Sequence, residues 1–539
     1  MIVALAQINS VLGDFSGNRE KILSNVGAAK EAGADLVVFP ELALMGYLPN
    51  DLLERDAAVA GQLRELKRLE REVPKGIRVL LGAITRSNEA VGKPYFNSAV
   101  LLCKGKKLKI FSKQLLPTYD VFDEGRHIEK GSLSKNFFRL GQKKILVTIC
   151  EDIWGWDVPG HPSNYLSNPL LAMRSERPDL VINMSASPFT KEKKKNRHSV
   201  VARTAKLFSA PVVYVNMVGG QDEIVFDGGS FVLDARGKAL AQAHYFSEDL
   251  MSVNLSQGNG GKSSNRNNAS GDIRQALVLG IRDFAAKTGF KQAHLGLSGG
   301  IDSAVVSCLA VEALGAANVT GVIMPGPFSS RESKSLAKEL ATNLGIRCLE
   351  MPISTAYEVG LETVHRALGD FEFGVVNENL QSRLRGLFLM ALSNRENSLL
   401  LTTGNKAEFA TGYATLYGDM CGGLAPIGDL LKREVYALAD LYNAQAELIP
   451  RAIIDRPPTA ELRPNQTDQD FLPPYDELDA AVVHLVEKMR PARNKIEKWL
   501  VKRIAQTEFK RWQAPPILKV SEHAFGRGRR MPIANSNRS

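Results

Sequence analysis

Three residues in the first half of the chain are of the types that acyl transfer needs. Glu41 follows the apolar run LVVFP, Lys113 ends KLKIFSK, and Cys150 ends KILVTIC ahead of Glu151 and Asp152. A cysteine acts as a nucleophile when it is a thiolate or has a base within reach. A nearby carboxylate such as Glu41 can take the thiol proton. A nearby ammonium such as Lys113 favours the anion and can later hold a developing oxyanion. Glu, Lys and Cys thus make an acyl-transfer set without histidine. The alternative is plain burial, because cysteine is among the most buried residue types. Spacing alone leaves both readings open.

A second set lies in HLGLSGGIDS, His294 to Ser303. It reads as a strand, a glycine turn and a helix. The glycines let backbone N–H groups face an anion, and the helix N-terminus adds partial positive charge. Ser298 and Ser303 can donate to phosphate oxygens, and Asp302 can hold Mg2+ on a pyrophosphate. The lysine of a Walker A loop is missing. The alternative is a strand–helix turn with no ligand.

Both sets sit where strands are expected to end, and in open α/β sheets sites collect at the carboxyl edge. Short β-branched runs recur through the first half: Ile2–Ile8, Leu36–Phe39, Val79–Ile84, Ala99–Leu102, Ile145–Ile149, Leu180–Met184 and Val212–Val215. Helical patterns at Asn18–Ala32 and Ala57–Val73 lie between them, which fits a layered α/β protein. The second half alternates more regularly. A helix over Ile273–Thr288 precedes a strand at Ala293–Leu297, a helix at Ser303–Leu314, a strand at Val319–Met324 and a helix at Ser330–Leu344. A short strand near Arg347–Met351 and another at Ser398–Thr402 follow. Such alternation implies a parallel sheet with helices on both faces. The segment 254–272, NLSQGNGGKSSNRNNASGD, has almost nothing to bury and reads as a polar linker between domains 1–253 and 273–539. The proline-rich stretch Pro457 to Pro474 reads as a loop.

The chain has 539 residues, 44% hydrophobic and 23% charged, as expected of a soluble globular protein. No window approaches the ~20 apolar residues of a membrane helix, and the N-terminus lacks the charged region of a signal peptide. Five scattered cysteines with no CxxC spacing fit reduced thiols in a cytoplasm and argue against a cysteine zinc site. The net charge of +10 leaves nucleic acid open as a partner.

The wording of the motifs goes further than their residue types. FPELALMGY, SKQLLPTYDVFDEGR and ICEDIW, in that order, resemble the nitrilase superfamily, and within it the glutamine-amidase branch fused to a synthetase. The resemblance implies Glu41 as general base, Lys113 as oxyanion stabiliser, Cys150 as nucleophile and Glu124 as a second carboxylate orienting the site. It places Tyr119 and the segment NMSASPF in a glutamine pocket, with Ser185 and Lys191 touching substrate. The basic run TKEKKKNRH offers several lysines for that contact and also reads as a solvated loop.

Strand–SGGIDS–helix resembles the PP-loop of ATP pyrophosphatases, which adenylate a substrate. NENLQSRLRG, TTGNKAEFATGY, YGDMCGGLAPIGDLLKREVY, RPPTAELRPNQTDQDFLPPYDELD and KVSEHAFGRGRRMPI resemble NAD synthetases. Nearly the whole chain therefore resembles the bacterial glutamine-dependent NAD synthetases. The implied fold is α/β: a nitrilase-like α-β-β-α sandwich followed by a doubly wound parallel-sheet PP-loop domain. The implied ATP contacts are Gly296, Leu297, Ser298, Gly299, Gly300, Ile301, Asp302, Ser303, Thr403 and Lys432. Asp302 and Glu408 would hold Mg2+, and Asn379, Glu408, Asp419 and Lys519 would contact deamido-NAD. Arg383 and Arg385 stay between a solvated helix face and a ligand contact. Cys421 and His523 receive no chemistry. The family implies a homo-oligomer, an ammonia tunnel and a cytoplasmic enzyme. Two rivals are weaker. A PP-loop enzyme modifying tRNA lacks a recognisable RNA-binding module here, and a decayed binding protein would not keep every motif residue. Glutamine, ATP and deamido-NAD become the expected partners, with no nucleic acid and no membrane. ATP and the dinucleotide are anionic, so a positive field favours their encounter.

Overall fold

The apolar runs of the first half become two six-stranded sheets. The first, in spatial order, is Asp249–Asn254, Ile2–Gln7, Leu36–Val38, Arg78–Arg86, Tyr95–Leu102 and Lys109–Ser112. The second is Phe137–Leu140, Lys143–Ile149, Leu180–Ser185, Val212–Asn216, Phe231–Leu233 and Ala239–Gln242. Read this way, both sheets pair as antiparallel, parallel, parallel, antiparallel, antiparallel. Successive strand residues point to opposite faces, and here both faces are covered. Val38, Leu80, Val147 and Ile182 meet in the core between the sheets. Val37, Val79 and Leu81 pack under helices Phe15–Glu31 and Asp56–Glu72 through Ile22, Val26, Leu66 and Leu69. Leu146, Val181 and Tyr214 pack under helix Lys193–Phe208 through Val200, Val201 and Ala205. The result is the expected four-layer α-β-β-α sandwich. Double coverage is why these strands read as unbroken apolar runs.

The second half forms a four-stranded parallel sheet in the order Arg347–Glu350, Val319–Ile323, Ala293–Gly296, Leu399–Leu400. The chain first moves outward from Ala293–Gly296 and then returns to its other side. Right-handed crossovers place the intervening helices on opposite faces when the direction reverses, so the sheet is doubly wound. Helix Val375–Glu396 covers one face, with Leu389 and Leu392 on Val322 and Leu400. The last strand is shorter than the expected Ser398–Thr402; Leu401, just past it, donates to the His294 carbonyl at 3.0 Å and bridges Leu424. Within Pro457–Pro474 the described backbone holds one short 3-10 turn, Asp468–Asp470.

This computed structural model describes residues 1–89, 91–157, 162–256, 269–464 and 466–535. Residues 257–268 of the expected linker and residues 536–539 lie outside the described residues. The chain divides into two compact units, Met1–Gln221 with Val225–Asn267, and Asn268–Ser539 with the short Asp222–Ile224. Among the described residues no helix is long and apolar enough to cross a membrane.

Candidate active sites

Pro40 has no N–H to give a ladder, so the strand Leu36–Val38 ends and Glu41 leaves its carboxyl edge. The turn passes so close to the next strand that a Cβ on Gly82 would lie 2.1 Å from the Leu42 nitrogen. Lys113 follows Lys109–Ser112, and Cys150 follows Lys143–Ile149. Folding joins three of the four proposed catalytic residues by direct bonds. The Lys113 ammonium donates to Glu41 Oε1 at 2.7 Å and to Glu124 Oε1 at 2.7 Å. Lys113 and Glu41 are fully buried. Glu41 also accepts from Asn97 Nδ2 at 2.7 Å and from the Ala186 N–H at 3.0 Å. The Tyr47 hydroxyl donates to Glu124 at 2.9 Å.

Burial works against the Lys113 charge, but Glu124 and Glu41 outweigh it and hold the ammonium well above its ordinary range. Burial raises Glu124, Lys113 opposes, and the charge of Glu41 adds to the rise. Burial also pushes the Cys150 thiol well above the ordinary thiol range. The negative charge of Glu41 adds to this shift and Lys113 opposes it. The thiol is therefore neutral near pH 7, and its attack needs a base to take the proton.

Cys150 has φ 42°, a left-handed conformation that L residues keep only where their surroundings enforce it. Asp152 supplies that enforcement. Its carboxylate accepts from the backbone N–H groups of Gln114, Leu115 and Ile149, each at 2.9 Å. One side chain thus ties the residues after Lys113 to the turn that carries Cys150. Burial raises the Asp152 carboxyl to about 7 despite these three donors. Arg197 fixes a second segment. It donates to the carbonyls of Ser187 at 2.7 Å and Pro188 at 2.9 Å, and pairs with Asp227 at 2.6 Å. The Ala186 N–H that reaches Glu41 belongs to this segment.

Tyr119 donates to Glu151 at 2.9 Å, and so does Tyr165. Glu151, next to Cys150, is buried and raised by that burial; the charges of Lys193 and Lys113 oppose the rise. Ser185 is fully buried, and its hydroxyl donates to Asn183, whose amide reaches the Cys150 carbonyl at 3.3 Å. Lys191 precedes helix Lys193–Phe208. The lysine of this run whose charge acts on Glu151 is Lys193, 4.1 Å from the centre of the Trp154 ring. Asn97, Tyr47, Glu151, Asp152, Tyr165 and Arg197 were not among the residues picked from sequence. Signals existed for some of them: Asn97-Ser98 interrupts an apolar strand, and Glu151-Asp152 puts two acids into an apolar run.

In the second unit, Ala293–Gly296 runs into the loop Leu297–Gly300 and helix Ile301–Leu314. Gly299 has φ 76°, and a Cβ there would lie 2.4 Å from the Ser333 carbonyl oxygen, so only glycine fits. The hydroxyls of Ser298 and Ser303 lie 3.1 Å apart, and Ser298 accepts from the Gly300 N–H at 3.2 Å. Asp302 opens the helix. It pairs with Lys432 at 2.5 Å and accepts from Asn405 at 3.2 Å. Asn405 and Glu408 form a capping box at the N-terminus of helix Lys406–Thr411. Burial lifts Glu408 well above the carboxylate range, Asp302 adds to the rise, and Lys432 opposes it. Lys432 is raised in turn: burial opposes, while Asp302 and Glu408 favour its charge. Asp302 and Glu408 act on each other and on Lys432, and their carboxyl oxygens are donors of the kind Mg2+ takes. Thr403 lies between Leu399–Leu400 and this helix. Asn379 and Asp419 meet around Thr415. Asn379 accepts from its hydroxyl at 2.8 Å, and Asp419 from its N–H at 2.7 Å. Lys519 is buried and donates to the Glu522 carbonyl at 2.5 Å.

Known proteins with these features divide in the same way. Residues 2–262 match the carbon-nitrogen hydrolase family, and residues 273–514 match the NAD synthase family. A glutamine-dependent NAD(+) synthetase of Synechocystis is 44% identical over 99% of this chain and 98% of its own length. That of Thermotoga maritima is 39% identical with the same coverage. The structure is similar to the Acinetobacter baumannii glutamine-dependent NAD+ synthetase solved with ADP, at TM-score 0.77 and 33% identity over 99% of this chain and 98% of that one. The Cytophaga hutchinsonii structure shares the fold at TM-score 0.83 and 20% identity, again over 99% and 98% of the two chains. With full-length relatives at this identity and both domain families present in order, the chain belongs to the glutamine-dependent NAD(+) synthetase family.

Proposed function

We propose that this chain makes NAD from deamido-NAD, ATP and glutamine, releasing glutamate, AMP and pyrophosphate. The observation that carries the reading is the buried Glu41–Lys113–Glu124 chain beside Cys150, in one polypeptide with the Asp302–Lys432–Glu408 cluster at a phosphate loop. In the amidase unit, Glu41 takes the Cys150 proton as sulfur attacks the glutamine carboxamide. Lys113 holds the oxyanion, ammonia leaves with the returned proton, and water then releases glutamate from the thioester. Glu124 and Tyr47 keep Lys113 in place. Glu151, a buried carboxylate one residue from the nucleophile, complements the α-ammonium of glutamine, with Tyr119 and Tyr165 holding it. Ser185 supports the pocket through Asn183, and a lysine of 191–195 serves the α-carboxylate.

In the synthetase unit, the pyridine carboxylate of deamido-NAD attacks the α-phosphorus of ATP and pyrophosphate leaves. Ammonia then attacks the acyl-adenylate carbon, and AMP leaves. The loop 296–303 cradles phosphate, Thr403 and Lys432 contact ATP, and Lys432 offsets phosphate charge. Asn379, Glu408, Asp419 and Lys519 face the dinucleotide. Asp302 and Glu408 would hold Mg2+, which neutralises charge on the pyrophosphate. Domains 1–253 and 273–539, a homo-oligomer and a cytoplasmic setting complete the reading. The test is to mix the protein with ATP, Mg2+, glutamine and deamido-NAD and read NAD with a dehydrogenase. Formation of NAD is the expected result. No NAD, with ATP turnover stimulated by tRNA, would replace this reading with RNA modification.

A further inference from the structure

Of the three arginines of helix Val375–Glu396, Arg383 and Arg385 lie in NENLQSRLRG, and the roles above use neither. Arg383 is exposed, and its Nε donates to the Leu416 carbonyl at 3.3 Å. Arg385 is placed differently. Its Nε donates to the carbonyl of Met324 at 3.1 Å, one residue beyond strand Val319–Ile323. Among the described residues this is its one hydrogen bond, and it makes no ion pair. A guanidinium carries five donors in a fixed fork. Burial brings this one down to about 10, with Glu461 and Asp419 acting in the opposite direction.

Gln381, one turn earlier, is fully buried. Its Nε2 donates to the carbonyls of Leu462 at 2.9 Å and Asn377 at 3.3 Å, which fixes the amide orientation. Its Oε1 is buried with no hydrogen-bond partner among the described residues. The two side chains converge on one place: a Cβ on Gly326 would lie 3.0 Å from Arg385 Nη2 and 3.1 Å from Gln381 Oε1. A cationic fork and an unused buried acceptor thus stand on either side of a residue without a side chain.

This group lies just past the carboxyl end of strand Val319–Ile323, near the phosphate loop. The Met324 methyl is 3.3 Å from where a Cβ on Gly296 would stand. The loop glycine Gly299 packs on Ser333, in the first turn of helix Arg331–Asn343, the next helix after Met324. A half-buried guanidinium with one hydrogen bond and no ion pair has donors left for an anion, and its fork matches phosphate oxygens in pairs.

We propose that Arg385 binds a phosphate of a nucleotide at the synthetase site, and that Gln381 Oε1 accepts from an amino or hydroxyl group of the same ligand. The choice of nucleotides, ATP or the dinucleotide, rests on the proposed function; the anion site itself does not. The test is calorimetric titration of the full-length protein with ATP plus Mg2+ and, separately, with deamido-NAD. Arg385→Gln should weaken one of the two by about 10- to 100-fold, the range of a charge-assisted hydrogen bond. Loss confined to ATP assigns the phosphate to ATP, and loss confined to deamido-NAD assigns it to the dinucleotide. Gly326→Ala, whose Cβ would press on Arg385 Nη2 and Gln381 Oε1 without removing charge, should weaken the same nucleotide, and it serves as the test should Arg385→Gln not fold. Unchanged affinity for both nucleotides, in Arg385→Gln or in that substitute, would overturn the assignment. A wild type that binds both nucleotides but makes no NAD would fail the proposed function and leave the Arg385 result standing.

Discussion

In the first unit a single buried lysine stands between two carboxylates, Glu41 and Glu124, and the chain supplies the hydrogen-bond donors around them. In the second unit Lys432 bonds one carboxylate, Asp302, while Glu408 accepts from the Asn405 N–H at 3.1 Å at the start of a helix. Burial raises Glu124 and Glu408 alike. What differs is closure: both carboxylates of the first unit are spent on the lysine, and those of the second are not. Under the proposed function, amide hydrolysis uses a nucleophile, a base and an oxyanion partner that are all side chains, which suits a closed set. Adenylation brings polyanionic substrates, which suits a set with carboxyl oxygens left for a cation and loop donors left for phosphate.

The largest expected effect tests the second unit. Asp302→Ala should abolish pyrophosphate release while glutamine hydrolysis stays at the wild-type rate. Mg2+ should raise the thermal midpoint of the wild type and not that of the variant. Retained pyrophosphate release would contradict the metal assignment. Next, Glu41→Gln should cut glutamine hydrolysis by about 100- to 10,000-fold, the range of general-base catalysis. Glu41 holds the Cys150 thiol up by its negative charge, and Lys113 pulls it down. Removing the negative charge should therefore move the thiolate titration, followed by ultraviolet absorbance, to lower pH. A shift to higher pH would show that Glu41 does not act on the sulfur as described.

A smaller loss is expected from Asp152→Asn. An asparagine cannot accept from all three N–H groups that Asp152 serves, and one buried donor left unpaired costs about 1–3 kcal/mol. The amidase unit should lose stability and glutaminase rate together, with ammonium-driven synthesis retained. An unchanged melting midpoint and rate would remove Asp152 from the account. The least effect belongs to surface pairs. Arg451→Ala breaks an exposed contact with Asp455 and should change stability by less than about 0.5 kcal/mol in chemical denaturation.

The sequence exposes some of this site and hides the rest for a physical reason. Glu41, Lys113 and Cys150 are visible because apolar runs end at them, and a strand end is a local signal. The sandwich and the doubly wound sheet are visible for the same reason, since double burial writes continuous apolar runs into each strand. Asn97, Tyr47 and Arg197 act on residues far away in sequence, across strands or from a helix to a loop. Periodicity tells which face a residue takes, not which partner meets it there. Asp152 shows the limit clearly: it stands two residues from Cys150, yet what it holds is the backbone after Lys113. Ser185 stands beside the site in sequence terms, and its bond to Asn183 is likewise one that only the folded chain displays. Arg385 and Arg383 look alike in NENLQSRLRG, and only packing separates them.

Under the proposed function one chain carries two separate chemistries, and Cys150 serves only the first. NAD formation by Cys150→Ala tests this, with ATP, Mg2+ and deamido-NAD supplied in parallel with glutamine and with ammonium chloride. The variant should make no NAD from glutamine and wild-type amounts from ammonium. Loss of both activities in a folded variant, or NAD still formed from glutamine, would contradict it.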